Sequence, residues 1–251
     1  MPPQLKEGVV YEAIMGRDIV DILEPLFSEG WYIDMKTAKV SCSPAISCDA
    51  PWIYVNPSPD IHCAFNMNLF NVARFAPRGC RKCFKVVIRP NTVAQLIGLY
   101  ELMSTEFINL GLACKCGVEE RVYVHGNYGG YQYNQGLDAG EKSYKTVRRL
   151  IDQHLGPDVG VILKRGCTEM ELALGPTKQY VVPDWADELE DKIMGVVELP
   201  ERRASTPKFI ADHTIRKWLE FAWDRGDKTC LEFSDGVPIF PNKIDTYHEE
   251  V

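Results

Sequence analysis

The sequence has no hydrophobic run long enough to cross a membrane, since no stretch approaches the roughly 20 consecutive apolar residues that a membrane helix needs. The first 21 residues contain several acids and no long apolar segment, so no secretory signal is expected. P-loop, GxSxG, HExxH, GxGxxG and CxxxCxxC motifs are absent, as are internal repeats. These absences exclude the enzyme classes that are easiest to recognise from sequence.

What remains is an ordinary globular composition. The 251 residues are 45% hydrophobic and 25% charged, which is enough for one large domain or two small ones with a buried core. The net charge of -7 is unevenly spread: residues 1–60 carry -5, residues 61–180 carry +5, and residues 181–251 carry -7. A basic centre predicts a face for a polyanion, and the acidic ends predict docking of a basic protein partner.

The cysteines carry the second signal. Their odd number, nine, argues against a secreted disulfide framework and favours a reducing, cytoplasmic compartment. Two close pairs, Cys80 with Cys83 and Cys114 with Cys116, resemble metal knuckles, and four thiolates suit zinc or an iron–sulfur cluster. Cys63 is an alternative ligand in place of Cys114. The competing interpretation is that these thiols are small core residues.

The pattern of apolar residues and turn signals predicts an α+β protein with a ferredoxin-like β-α-β-β-α-β core. A helix interrupted near Pro25, a short strand from Gly30 and an irregular segment with one extended stretch precede this core. The predicted domains are 1–79, an N-terminal helix with the irregular segment; 80–180, the core; and 181–251, an acidic helical extension. The elements predicted for the core are a strand at 84–89, a helix to 107, a strand at 118–125, a strand from 131, a helix at 136–155 and a strand at 159–164.

Two groups of residues predict binding of nucleic acid or a phosphorylated ligand. Cations cluster around the first cysteine pair, and tyrosines surround a glycine-rich turn. The competing interpretations are a solvated loop and tyrosines packed on a half-buried sheet. The predicted phosphate contacts are Arg78, Arg81, Lys82 and Lys85, and the predicted stacking residues are Tyr128, Tyr131 and Tyr133.

The alternative hypothesis is a small-molecule enzyme. Its pocket would lie between the glycine-rich hairpin and the segment Lys164–Glu171, with His125, Lys164 and Glu169 performing acid–base chemistry. Glu169 and Glu171 alternate as residues on one side of a strand do. A hairpin is also predicted around residues 234–236.

Overall fold

The computed structural model describes residues 19–28, 31–42, 51–57, 62–199 and 205–239. The helices are α1 (Ile19–Ser28), α2 (Cys63–Ala73), α3 (Arg78–Arg81), α4 (Val93–Leu102), α5 (Leu137–His154), α6 (Thr168–Leu174), α7 (Ala186–Val196) and α8 (Lys208–Asp224). The strands are β1 (Trp31–Asp34), β2 (Lys39–Cys42), β3 (Trp52–Asn56), β4 (Cys83–Arg89), β5 (Cys114–Val118), β6 (Tyr128–Gln135), β7 (Gly160–Arg165) and β8 (Val197–Glu198). A π-helical turn (Met103–Phe107) extends α4, and 3-10 helices span Thr177–Gln179 and Lys228–Phe233.

A five-stranded sheet occupies the centre of the protein. Its strand order is β3-β5-β6-β4-β7, and each neighbouring pair is antiparallel. Val86 and Ile88 of β4 point to one side of this sheet and pack with Leu96 of α4 and Ile151 of α5. Because side chains alternate along a strand, Lys85 points to the opposite side.

That opposite side is called the cationic face below. The registers place Lys85 beside Tyr133 and Lys164, and Lys115 beside Tyr54 and Tyr131. The cationic face comprises Trp52, Tyr54, Lys85, Arg89, Lys115, Tyr131, Tyr133 and Lys164.

The prediction of an α+β class is confirmed, since helices pack on an antiparallel sheet. The sheet has five strands, whereas the predicted core has four, and the ferredoxin-like topology stays a prediction. The edge strand β3 pairs with β5 and comes from the extended stretch predicted inside the irregular segment. The helix predicted after Pro90 is also present, and the Thr92 side chain caps it by accepting a hydrogen bond from the Gln95 amide at 3.2 Å.

A second, smaller unit is built from distant parts of the chain. β1, β2 and β8 form a three-stranded sheet in which β2 and β8 run parallel. Leu26 of α1, Phe65 of α2 and Ile193 of α7 belong to its hydrophobic cluster. Trp218 of α8 belongs instead to the cluster of the five-stranded sheet. Each of these two hydrophobic clusters contains residues from more than one of the predicted domains. The predicted domain boundaries stay a prediction.

One predicted strand of the core is wrong. The strand lies at Cys114–Val118, and residues 119–127 form a loop in which the Val122 side chain is 99% exposed. Cys114, Cys116 and Val118 are all buried, which is the period-two pattern of a strand with cysteine acting as a small hydrophobic residue.

Two further local predictions are corrected. Glu169 and Glu171 lie in the first turn of helix α6 and not on a strand. The expected hairpin at 234–236 is a turn that follows the 3-10 helix Lys228–Phe233. Of the helix predicted at 8–29, residues 8–18 and 29 lie outside the described residues, as does Gly30, where the next strand is predicted to start. In the described ranges, no helix has the length and apolarity that a membrane crossing requires.

Candidate functional site: the cationic face

Three cations from two strands, β4 and β5, surround the ring of Tyr131. The Lys85 Nζ and Arg89 Cζ atoms each lie 5.6 Å from the ring centroid, and the Lys115 Nζ atom lies 5.8 Å from it. Tyr131 is only 6% exposed because these side chains crowd around it. The alternation of β4 and β5 produces this convergence, since Lys85, Arg89 and Lys115 all occupy outward positions beside β6.

Aromatic rings extend the site towards the sheet edge. The Trp52 and Tyr131 rings lie 5.3 Å apart between centroids and are tilted by 53°. The Lys115 Nζ atom lies 4.6 Å from the Trp52 ring and 5.1 Å from the Tyr54 ring, within the range of cation–π attraction. Trp52 and Tyr54 are half-buried, so part of each ring stays accessible.

An arginine from the 119–127 loop closes one side of the site. Arg121 donates to both Glu119 oxygens at 2.7 and 2.6 Å, and to Glu169 Oε1 at 2.6 Å. The Tyr131 hydroxyl donates to Glu119 Oε2 at 3.0 Å. Burial pushes the pKa of Glu119 up, but the Arg121 hydrogen bonds and charge outweigh burial, so this pKa lies below its usual value.

The carboxylates near the site are already engaged by other cations. Arg121 holds Glu119 and Glu169, and Lys164 forms an ion pair with Glu171. By contrast, the three cations around Tyr131 form no ion pair with any carboxylate of the described residues. Within the described part of the chain, the charges of Lys85, Arg89 and Lys115 are therefore not paired with a carboxylate.

Lys85 is the most buried of these cations, with 8% of its surface exposed. Its ammonium donates to Cys167 Sγ at 3.6 Å. Burial alone would lower the pKa of Lys85, but its electrostatic interaction with the nearby thiol groups of Cys167, Cys83 and Cys63 raises it above its ordinary value. No sequence motif marked Cys167, which lies between β7 and α6 and meets Lys85 only through the tertiary fold.

The predicted stacking tyrosines are separated by the strand register. Tyr128 lies on the helix side and is 1% exposed, and its hydroxyl donates to Asp227 Oδ2 at 2.7 Å. Tyr131 is buried under cations, while Tyr133 is half-buried beside Lys85. Tyr128 and Tyr131 are both buried, whereas Trp52 and Tyr54 are half-buried.

The predicted phosphate contacts are also divided. Arg78 bonds Asp191 at 2.6 Å and Asp187 at 3.2 Å, and its amide donates to Glu190 at 2.9 Å. Arg81 forms an ion pair with the same Asp187. The acidic helix α7 thus neutralises both arginines.

Of the other two predicted phosphate contacts, Lys82 is solvent-exposed at the end of α3, and Lys85 alone lies on the cationic face. Basic residues that are close in sequence therefore face different surroundings.

The predicted acid–base residues are not grouped in one pocket. His125 is exposed in the 119–127 loop, and the cavity beside it is lined by that loop and Arg225. Lys164 and Glu169 do not line this cavity, and each is held in an ion pair. Burial, followed by the Lys85 charge, lowers the pKa of Lys164 below its usual value.

The predicted metal ligands lie on opposite sides of the sheet. Cys83 is on the side of Lys85, whereas Cys114 and Cys116 belong to the hydrophobic cluster under α4. Cys80 packs in a third cluster with Met170, and Cys63 is exposed.

In the part of the chain that the structure describes, no three His, Cys, Asp or Glu side chains are grouped so that they could hold a metal ion. The four-cysteine donor set, with Cys114 or with Cys63, does not fit zinc or a cluster. Burial raises the pKa of the Cys83 and Cys114 thiols to about 12, which is typical of core thiols.

The residues of this site that sequence reasoning missed include Trp52, Tyr54, Lys115, Arg121 and Cys167. The alternation of buried cysteines around Lys115 is the signal that could have placed it on an exposed strand face. Comparison with known protein families, with curated proteins and with solved structures finds no match.

Proposed function

We propose that this protein binds a phosphate-bearing ligand with a planar ring, a nucleotide either free or within a single strand, on the cationic face. The observation that carries the proposal is the convergence of Lys85, Arg89 and Lys115 on the Tyr131 ring without carboxylate partners among the described residues. The proposal keeps the ligand class predicted from the sequence, but it places the binding site on the cationic face of the sheet instead of around Cys80 and Cys83.

The repulsion among these cations supports an anionic ligand. Two charges that each lie within 5.8 Å of one point are at most about 11.6 Å apart. At this largest separation and an effective dielectric constant of about 20, a pair repels by about 1.4 kcal/mol before salt screening, and a closer pair repels more strongly. A phosphate between the cations would turn this repulsion into attraction and displace their counterions.

The rings beside the cations support a nucleotide over a bare anion. Trp52 and Tyr54 are half-buried at the sheet edge, where a base can stack on them while its phosphate lies near Lys115. Stacking of a base on an aromatic side chain contributes about 1–3 kcal/mol and needs no particular base.

The β-α-β-β-α-β order of residues 83–165, with antiparallel pairing throughout, supports the further proposal that this segment is a ferredoxin-like unit extended by β3. A cytoplasmic location stays a prediction. A basic protein partner for the acidic ends gains no support from α7, whose Asp187 and Asp191 bind arginines of this chain.

Binding to labelled single-stranded RNA and DNA of about 12 nucleotides, followed by fluorescence anisotropy, tests the proposal. Three phosphate contacts predict a slope of about 2 for log Kd against log salt, at about 0.7 per contact. Competition by ATP and by tripolyphosphate distinguishes a free nucleotide from a nucleic-acid strand as the ligand. Competition by ATP alone indicates a site for a free nucleotide. Weak competition by both compounds indicates a site for single-stranded nucleic acid.

Substitution of one cation provides the matched comparison. Lys115→Gln should weaken binding about tenfold, because a charge-assisted contact contributes about 1.5 kcal/mol. Lys145→Gln removes the same charge from an exposed position on α5, across the sheet, and should leave Kd within about twofold. No binding to any probe by the unmodified protein, or equal effects of the two variants, would contradict the proposal.

A further inference from the structure

A bridge of side chains crosses the cationic face beside Tyr131. Arg121 of the 119–127 loop donates to Glu169 Oε1 of α6 at 2.6 Å, and the Tyr123 hydroxyl donates to the same oxygen at 3.3 Å. Arg121 also donates to the Tyr131 hydroxyl at 3.2 Å, which places the bridge against the ring on which the cations converge. The loop follows β5 and α6 follows β7, so the bridge spans β6 and β4, the strands that lie between them.

The bridge separates a closed part of the cationic face from an open part. Lys85 and Tyr131 lie next to the bridge and are only 8% and 6% exposed. Towards the β3 edge, Trp52, Tyr54 and Lys115 are all half-buried, so part of each side chain stays accessible. A ligand can therefore approach the cations from the β3 edge, and the bridge is the far wall of that approach.

This arrangement limits how a nucleic-acid strand can lie on the sheet. A strand that enters over the β3 edge can place its phosphates near Lys115. Beyond the bridge the face is open again, since the Ile162 side chain of β7 is 54% exposed. To continue that far, the strand would have to pass beneath the contact between Arg121 and Glu169. A ligand that ends in a phosphate needs no such passage, because only its terminal group has to reach Lys85.

The charge of the site also favours a terminal phosphate. A phosphate monoester has a second pKa of about 6 and carries about −1.5 to −2 charges at pH 7, whereas an internal diester carries a single negative charge. Lys85, Arg89 and Lys115 form no ion pair with a carboxylate of the described residues, and all three converge on one ring. A monoester therefore neutralises more of their charge than one diester linkage does.

Resting on the proposed nucleotide binding, we propose that the cationic face selects a terminal phosphate monoester over internal phosphodiester linkages. The monoester is carried by a free nucleotide or by the end of a single strand. Its phosphate lies beside Lys85 and Arg89, and the adjacent base lies at the β3 edge. The contact between Arg121 and Glu169 determines this selectivity, because it stops a strand from continuing across the sheet and leaves the approach from β3 open.

Three internally labelled oligonucleotides of one sequence test the proposal. One carries a 5′-phosphate, one carries a 3′-phosphate, and one has hydroxyls at both ends. Fluorescence anisotropy should show that at least one phosphorylated strand binds the unmodified protein about tenfold more tightly than the unphosphorylated strand, as one further charge-assisted contact predicts. The preferred end gives the orientation of the strand. AMP should compete with the preferred strand, whereas adenosine should not.

Two substitutions in α6 test the role of the bridge. Glu169→Ala removes its carboxylate, and Glu171→Ala is the matched control, because Glu171 lies in the same turn but pairs with Lys164. Both variants remove one negative charge and should raise the affinity for every strand. Only Glu169→Ala should reduce the preference for the phosphorylated strand, by about threefold or more, because an unphosphorylated strand can then cross the face.

The comparison of the three strands uses the unmodified protein, so it stands even if a variant fails to fold. Equal affinity for all three strands, together with weaker binding by Lys115→Gln, would overturn the selectivity and leave the proposed nucleotide binding standing. Absence of binding to every strand and to AMP would overturn both proposals. A preference that Glu169→Ala and Glu171→Ala reduce equally would overturn the assignment of selectivity to the bridge.

Discussion

The carboxylate of Asp227 ties three elements of the main core together, and its removal should destabilise the protein. It accepts hydrogen bonds from the Tyr128 hydroxyl at 2.7 Å, the Val93 amide at 2.6 Å, and the Thr229 amide and hydroxyl at 3.1 and 2.7 Å. These donors belong to β6, to the first turn of α4 and to the 3-10 helix Lys228–Phe233. The carboxylate also lies where the α4 dipole favours negative charge.

The magnitude follows from these bonds. A net contribution of about 0.5–1.5 kcal/mol per hydrogen bond gives about 2–6 kcal/mol for four. Asp227 is half-exposed, so water replaces part of what Asp227→Ala removes, and we expect a loss of about 2–3 kcal/mol in the free energy of unfolding. Tyr128→Phe removes one of the four bonds and should cost about 1 kcal/mol.

The effect of Asp227→Ala should depend on pH. Burial raises the pKa of Asp227, but hydrogen bonds from Tyr128, Thr229 and Val93 lower it by more, so its pKa in the folded protein lies below the usual value of an aspartate. A lowered carboxyl pKa stabilises the folded state above the unfolded-state pKa, and this stabilisation is lost as pH falls through the folded value. The difference between the two proteins should therefore be full at pH 7 and shrink below about pH 4.

Urea unfolding followed by circular dichroism at pH 7 and at pH 3 measures both effects. Asp212→Ala on α8 is the control, since Asp212 is an exposed carboxylate that pairs only with Lys208 among the described residues. A loss below about 1 kcal/mol for Asp227→Ala at pH 7, or a loss that is equal at both pH values, would refute the reasoning.

Two further predictions concern the sheet edge and α7. Gly117→Ala should prevent β3 from pairing with β5, because a Cβ atom there would lie 2.2 Å from the Pro51 carbonyl oxygen; hydrogen exchange in residues 52–56 should rise, and unchanged exchange would contradict this. Arg78→Ala should loosen α7 by releasing Asp187 and Asp191, which proteolysis within that helix would detect, yet leave oligonucleotide affinity within about twofold. A loss of affinity as large as that of Lys115→Gln would restore Arg78 as a phosphate contact.

The local sequence pattern was sufficient to predict most strands of the five-stranded sheet. Phe84 to Arg89 and the helix after Thr92 were predicted because alternation, proline and a capping side chain all act within a few residues. The strand Cys114–Val118 was displaced in the prediction because a cysteine pair was interpreted as a metal turn. Its thiols instead occupy the inward positions of a strand, as small apolar side chains do.

The sequence by itself determined the α+β class and the basic centre, since these depend on composition and on short-range periodicity. Only the tertiary structure decided which cations act together. Arg78 and Arg81 meet α7 more than 100 residues later, whereas Lys85, Arg89 and Lys115 converge through the pairing of three strands. The contact between Lys85 and Cys167 spans 82 residues, and a pairing at that separation is set by how the sheet assembles and not by local sequence.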